Sequence, residues 1–352
     1  MTQSKKNTKK KDRIFCSINT PFSRRLETAA VTWQVSCIFI FAIFSLFVLA
    51  NPLLLFTIFF PYLIYYVFDR TPVNGGVVRR YSKFFRSLKI WKYYCNYFPI
   101  KLYKTCDLKP TFTPQNELVG PKYIFGYHPH GICALGSFGA ISTEGVNWSL
   151  KFPGIPTCLM TLVNVFNIPF YRDYLLGLGV TAVSRQNAIK VLKQNYSICI
   201  VIGGAQESLH AKVHKAELIL DKRKGFVKLA LEVGNVGLVP IFAFGENEIY
   251  NVLSTENKSL TRRFQLWMKN RWGFTIPLFY ARGIFNYDWG FIPFRHPINL
   301  VFGNPIMVPK LENFSEKDVD NYHGLYVKEL SRIFNEYKAK FGYNDVELEL
   351  VA

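Results

Sequence analysis

Between Glu27 and Asp69 the chain runs for 41 residues, Thr28 to Phe68, without one charged side chain. About 20 apolar residues cross a bilayer as a single helix, so this length amounts to two spans. Asn51-Pro52 lies near the middle, where a turn is required. Proline breaks a helix and restricts the residue before it. The expectation is a helical hairpin over residues 30–50 and 53–68. Its second arm is short, so a re-entrant hairpin is the alternative to two full crossings. Both flanks are basic, from Lys5 to Arg25 before the run and from Arg70 to Arg86 after it. By the positive-inside rule both ends are cytosolic. A buried soluble hairpin is the competing reading. So long an uncharged run is rare in soluble cores.

The remainder of the 352 residues suffices for one large domain. The net charge of +19 favours an anionic partner. Among nucleic acid, anionic lipid and a polyanionic cofactor, the apolar run decides for the membrane, and no nucleic-acid signature argues otherwise. Seven cysteines without a CxxC pair read as free thiols, not as a disulfide framework. The polar start and the length of the apolar run exclude a cleaved signal peptide. Asn147, Asn195, Asn257 and Asn313 head glycosylation sequons, and a cytosolic domain leaves them unmodified.

These shifts divide the chain into a basic cytosolic tail (1–27), the hairpin (28–68), a basic and aromatic segment (69–119), a catalytic-type domain (120–345) and a tail (346–352). The segment 69–119 carries Tyr81, Phe84, Phe85, Trp91, Tyr93, Tyr94, Tyr97 and Phe98 among cations. That mixture suits a layer at headgroup depth, and equally suits ordinary packing. Trp267, Trp272 and Phe264, with the cations at 262, 263, 269 and 271, suggest a second interfacial helix. Beyond residue 120, apolar runs at 122–127, 180–184, 198–202, 238–244 and 299–303 read as strands. Helical patterns fall at 186–195, 224–234 and 316–341. The fold class is therefore α/β, a mainly parallel sheet with flanking helices, and chemistry belongs at its strand ends.

His128 ends the run 122–127. Pro129 holds it extended, and Gly131 permits a tight turn. A histidine there is a candidate general base, although a strand-end histidine bonded to backbone is the commoner case. Gly203-Gly204 follows the run 198–202 and places Glu207 on the same sheet edge. Arg185 follows 180–184. Lys222, Arg223, Lys224 and Gly225 open a helix whose N-terminus favours an anion. One base, one carboxylate and several cations on one edge fit an acyl donor with a phosphorylated leaving group, such as acyl-CoA. His210 and His214 lie four apart, but no metal motif accompanies them. No Gly-x-Ser-x-Gly nucleophile is present.

These residues resemble the type-two diacylglycerol acyltransferase family, which includes monoacylglycerol and wax-alcohol acyltransferases. The likeness spans residues 70–341 and rests on five blocks in order: Tyr97-Phe98-Pro99; His128-Pro129-His130-Gly131; Arg172-Asp173 with Gly177 and Gly179; Gly203-Gly204 with Glu207; and Arg223-Lys224-Gly225-Phe226 continuing through Val239-Pro240 to Glu246. A wider likeness is to glycerolipid acyltransferases built on His-x-x-x-x-Asp, where His128 takes the histidine position and Cys133 the aspartate position. The resemblance implies a glycerolipid-acyltransferase-like fold and acylation of diacylglycerol to triacylglycerol at the endoplasmic-reticulum membrane, with spread to lipid droplets. It implies His128, His130 and Glu207 as catalytic residues, with Glu207 orienting or charge-stabilising His128. It implies Gly131, Arg172, Asp173, Gly203, Gly204, Arg223, Lys224 and Gly225 on the acyl-CoA and acceptor side, to which the sheet-edge reading adds Arg185. Transfer is direct, with backbone donors for the oxyanion, no cofactor, no metal, and acyl-CoA as co-substrate. The oligomeric state, a homo-oligomer included, stays open, as does which of His128 and His130 is the base. The nearest alternative acceptors are monoacylglycerol and long-chain alcohols. A non-catalytic membrane-shaping or droplet-surface protein is the alternative of a different class.

Overall fold

The computed structural model describes residues 19–209, 211–252, 267, 278–287 and 289–351. The hairpin forms as the uncharged run dictates. Its first helix, Phe22–Ala50, starts behind Pro21 and so includes Arg24, Arg25 and Glu27. Asn51 leaves the helical conformation, and its side-chain oxygen accepts from the N–H groups of Leu53 (3.1 Å) and Leu54 (3.3 Å). Pro52 takes the next helical position, where a missing N–H is harmless. The second arm runs through Pro52–Leu54, a π-helical stretch at Leu55–Phe59, and Phe60–Phe68. The widened stretch precedes Pro61, which has no N–H for residue 57. Both arms are long and apolar enough to cross a membrane. Their large side chains, among them Phe39, Ile43, Phe47, Phe56, Phe60 and Phe68, point outward. Smaller ones on the first arm, Ala30, Val31, Cys37 and Val48, are buried.

Among the described residues twelve strands follow: β1 Lys101–Lys104, β2 Lys122–His128, β3 Thr157–Thr161, β4 Val180–Ala182, β5 Ser197–Val201, β6 Ala216–Ile219, β7 Val236–Phe244, β8 Asn251–Val252, β9 Phe279–Tyr280, β10 Asn299–Phe302, β11 Ile306–Val308 and β12 Leu348–Val351. Eight form the main sheet in the order β1-β10-β7-β2-β5-β3-β4, with β11 also on β7. β2 lies between β5 and β7, parallel to both. β10 and β11 run antiparallel to β7. All five expected strands are present, as β2, β4, β5, β7 and β10. The expected helices appear as Arg185–Lys193, Gly225–Val233 and Glu316–Tyr337, the last with a Ser315–Asp318 capping box. The chain builds β3, β4 and β5 on one side of β2 and β7 on the other. The carboxyl end of β2 is thus the switch point where open α/β sheets form their crevice.

Two expected boundaries differ. The segment 69–119 turns several of its rings inward: Trp91, Tyr94, Tyr97 and Phe98 are buried, and β1 joins the main sheet parallel to β10. Its rings pack on the first hairpin helix and on Phe138, although Phe84 does face outward. Burial of that much aromatic surface outweighs a place at the headgroups. The C-terminal tail is also ordered, because Leu348–Val351 pairs with β6. Of the second interfacial helix suggested around Trp267, only that residue is described. It is helical and exposed. The cations and rings at 262–264, 269, 271 and 272 lie outside the described residues, as does His210.

Arg172 and Asp173 latch the hairpin to the domain. Asp173 accepts from Tyr62 Oη (2.7 Å), Tyr65 Oη (2.8 Å) and Arg80 (2.8 Å). The Arg172 guanidinium, buried, donates to the carbonyls of Tyr66 (3.1 Å) and Asp69 (2.8 Å) and to the Asp69 carboxylate (2.8 Å), and lies over the Tyr66 ring. The pair expected on the substrate side ties the second hairpin arm to the domain. Every charged oxygen of Asp173 is occupied by hairpin tyrosines or Arg80.

Candidate active site

His128 is the last residue of β2, and its ring is wholly buried. The His128–Pro129 peptide bond is cis, and Gly131 turns back with φ +56°. A Cβ at Gly131 would press on Glu246 Cγ at 2.9 Å, so the turn needs glycine for both reasons.

The imidazole has one partner. Nε2 lies 2.9 Å from the Tyr326 hydroxyl, and that hydroxyl donates its proton to the Gly126 carbonyl at 3.2 Å. A phenol has one proton. With that proton on the Gly126 carbonyl, the oxygen accepts from His128 and the ring is the Nε2–H tautomer. Nδ1 is left with a lone pair, buried and without a hydrogen bond. Burial, with a smaller effect from His323, pushes the imidazole down to about 3, so the ring is neutral at physiological pH.

Glu207 does not touch this ring. One carboxylate oxygen accepts from the His130 backbone N–H (2.6 Å) and the other from the Ile219 N–H (2.8 Å). It ties the His128–Gly131 turn to β6, and its expected role as the direct partner of His128 belongs instead to Tyr326. Gly203 exists for this carboxylate, since a Cβ there would overlap it. Gly204, at φ +61°, has open space around it. Burial raises Glu207 to about 7, against the pull of the two N–H bonds and of Arg223. The His130 side chain folds back onto the Gly131 carbonyl, with Nδ1 at 3.1 Å.

A second carboxylate closes the other side of the turn. Glu246 Oε2 accepts from Tyr127 Oη (2.6 Å) and from the Gly136 N–H (3.0 Å). Its Oε1 is buried without a partner, and burial raises this group to about 7 as well.

The turn thus gathers His128, His130, Gly131, Gly203, Gly204 and Glu207. Arg223 is exposed, close enough to act on Glu207 through its charge. Lys224 is paired with Asp320 at 2.7 Å, and Gly225 opens the next helix at the surface. Phe226 of that helix packs on the Tyr326 ring at 4.7 Å. Arg185 is not brought in. It follows the edge strand β4, with β5 and β3 between it and β2, and pairs with Glu232 at 2.6 Å. No group of three or more histidine, cysteine, aspartate or glutamate side chains suits a metal ion among the described residues. Sequence reasoning missed the role of Tyr326, which shows only as one apolar position in an amphipathic helix. It used Glu246 only as part of a motif.

Comparison with known proteins places this site in a family. A match to the family described as "Diacylglycerol acyltransferase" covers residues 47–351. "Diacylglycerol O-acyltransferase 1" of Eremothecium gossypii is 53% identical over 95% of this chain and 80% of its own length. The protein of the same name from Saccharomyces cerevisiae is 52% identical over 96% and 88%. "2-acylglycerol O-acyltransferase 1" of Bos taurus is 40% identical over 95% and 97%. The chain belongs to the diacylglycerol acyltransferase family.

Proposed function

We propose that this chain is an acyl-CoA-dependent O-acyltransferase that esterifies diacylglycerol to triacylglycerol, with His128 Nδ1 as the general base. The observation that carries the base assignment is the 2.9 Å contact of Nε2 with the Tyr326 hydroxyl, which leaves Nδ1 as the ring nitrogen without a hydrogen bond. Nδ1 takes the proton of the acceptor hydroxyl as that oxygen attacks the thioester carbonyl. The C–O bond forms, the C–S bond breaks, and the proton passes to the departing thiolate to give free CoA and the new ester. The backbone N–H groups of Gly131 and Ile132, which make no hydrogen bond among the described residues, are the candidate oxyanion donors. The His130 N–H is already given to Glu207.

Diacylglycerol as acceptor is supported by the names of the relatives at 52–53% identity. Monoacylglycerol is the second reading, favoured by the bovine relative at 40%. The hairpin would hold the site at a membrane surface, where an apolar acceptor and an acyl chain arrive laterally. Its basic flanks support cytosolic ends at the endoplasmic reticulum, with access to lipid droplets. Purified full-length protein, offered labelled acyl-CoA with diacylglycerol, monoacylglycerol and a long-chain alcohol in turn, should label triacylglycerol fastest. Faster labelling of either other product would reassign the acceptor. Transfer to none of the three would remove the enzymatic reading.

A further inference from the structure

Glu246 stands two residues beyond the carboxyl end of β7, beside the end of β2 that carries His128. Two glycines make room for its side chain. A Cβ on Gly131 would meet Glu246 Cγ and come within 3.5 Å of Oε1. A Cβ on Gly136 would lie 2.6 Å from Oε2 and 2.5 Å from the Tyr127 hydroxyl. The carboxyl group thus fills the wedge between the His128–Gly131 turn and the start of the helix Leu135–Ile141. Its oxygens are used unequally. Oε2 accepts twice, from Tyr127 Oη (2.6 Å) and from the Gly136 N–H (3.0 Å). Oε1 is buried, with no hydrogen-bond partner among the described residues. An anion so placed leaves one charged oxygen bare in a dry site. A neutral acid carries its proton on Oε1 and keeps Oε2 as the acceptor, so both donors stay satisfied. Glu207 differs: it has an N–H on each oxygen, the pattern of a carboxylate.

The surroundings favour the neutral form. Burial raises Glu246 to about 7, and the charge of Glu248 adds to this, against the pull of Tyr127 and of the Gly136 and Leu135 N–H groups. Other titratable groups face it from the elements packed around it: Tyr127 on β2, Cys133 after the turn, Tyr94 on the helix Lys89–Tyr97, and Tyr250. Tyr343 acts on it from near the C-terminus, and His296 lies against Gly245. Burial holds these four tyrosines above their ordinary range, so none of them ionises between pH 6 and pH 9.

We propose that Glu246 is a positioning residue that works as a neutral carboxylic acid, bracing the turn at Gly131 and Gly136 and keeping negative charge away from the oxyanion at the Gly131 and Ile132 N–H groups. This rests on the reading of the turn as the site of acyl transfer. A full charge set against Gly131 would oppose the oxyanion in a site of low dielectric, where such repulsion is strongest.

The test is the pH dependence of turnover by the full-length enzyme in membranes, with labelled acyl-CoA and diacylglycerol, from pH 6 to pH 9. His128, at about 3, is neutral throughout and adds no limb. Wild-type kcat should hold to about pH 7 and then fall, by at most about tenfold per unit, while KM for acyl-CoA stays level. Glu246→Gln keeps the brace without the titration. It should lower kcat about three- to tenfold at pH 6, through a less favourable hydrogen bond, and then hold that rate to pH 9. Tyr127→Phe removes a donor that favours the anion, so the alkaline fall should move to higher pH. This second variant decides the matter if Glu246→Gln does not accumulate. A Glu246→Gln profile parallel to wild type would give the fall to Glu207, raised to a similar value, and overturns the proposal. So does a Tyr127→Phe fall at the wild-type pH or below it. Collapse of Glu246→Gln at pH 6, with its unfolding temperature kept, would mean that the charge is required and overturns it equally. Wild-type enzyme that transfers no acyl group removes the reading beneath, whereas transfer with the fall unaltered in both variants removes this proposal alone.

Discussion

The Tyr326 hydroxyl stands where a side chain at Gly126 would be, and a Cβ added to that glycine would overlap it. The same hydroxyl bonds the Gly126 carbonyl and the His128 ring. One oxygen thus seats the helix Glu316–Tyr337 on β2 and touches the proposed base, and the two contacts are inseparable by position.

Tyr326→Phe keeps the ring packing on Phe226 and removes that oxygen. The imidazole is then free to take either tautomer, and the Gly126 carbonyl loses its added donor. A buried hydrogen bond is worth about 1–3 kcal/mol when a partner is orphaned. At about 1.4 kcal/mol per tenfold, kcat should fall roughly ten- to a hundredfold. KM for acyl-CoA should stay near wild type, because no donor contact is touched. His128→Ala should lose about a hundred- to ten-thousand-fold. Steady-state kinetics on membrane-assembled variants checks both, and a Tyr326→Phe enzyme with unchanged kcat would remove the tautomer lock.

Glu246 makes a pH prediction. Its folded-state value, about 7, lies above the ordinary 4.5 because burial disfavours the charged form. The folded protein therefore binds more protons than the unfolded chain between those values. The stability that this preference contributes is complete below pH 4.5 and is lost as pH rises through about 7. Glu246→Gln removes the titration. Wild-type thermal stability should fall from pH 5 to pH 8 more steeply than that of the variant, measured by unfolding in detergent micelles. Parallel curves would show that Glu246 stays ionised when folded.

The latch predicts a contrast between arginines. Arg172→Ala takes the cation from the Asp69 carboxylate, which keeps Tyr65 and Thr71, and takes a donor from the Tyr66 and Asp69 carbonyls, a loss of up to about 3–5 kcal/mol for such a pair. The second hairpin arm should loosen, and limited proteolysis after residue 68 should speed up. Arg185→Ala removes an exposed pair with Glu232 and should change stability by less than about 1 kcal/mol. Equal effects of the two substitutions would contradict the latch.

The elements legible in the sequence were those with a simple physical signature. The uncharged run and Asn51-Pro52 gave the hairpin and its turn. Strands buried on both faces, such as β2 and β7, read as unbroken apolar runs. β1, β6, β11 and β12 are three or four residues long and were not read as strands, whereas the equally short β4 and β10 were read from the runs 180–184 and 299–303. At the site, His128, Gly131, Gly203 and Glu207 were visible because turns at strand ends need those residue types. The partnerships were not. His128 and Tyr326 are 198 residues apart, and only the packed helix brings them together. Arg172 and Asp173 were put on the substrate side by the resemblance alone, and a cation and an anion side by side carry no sign of which element they will hold.

Glu207 separates the two roles a buried carboxylate can take beside a catalytic turn. It spends both oxygens on backbone, at His130 and Ile219. In Glu207→Gln one oxygen becomes an NH2 group, which must face an N–H donor. That conflict costs about 1–3 kcal/mol, and unfolding should move down by roughly 2–4 °C per kcal/mol for a domain of this size. The turn carries the base, so kcat should fall with it, and cooling should recover part of the loss. KM for acyl-CoA should hold. A carboxylate that oriented or compensated the imidazole directly would behave differently: kcat would collapse while the unfolding temperature stayed at the wild-type value. That second pattern would return Glu207 to the role of partner. A variant normal in both measurements would show that the tie between the turn and β6 matters to neither fold nor rate.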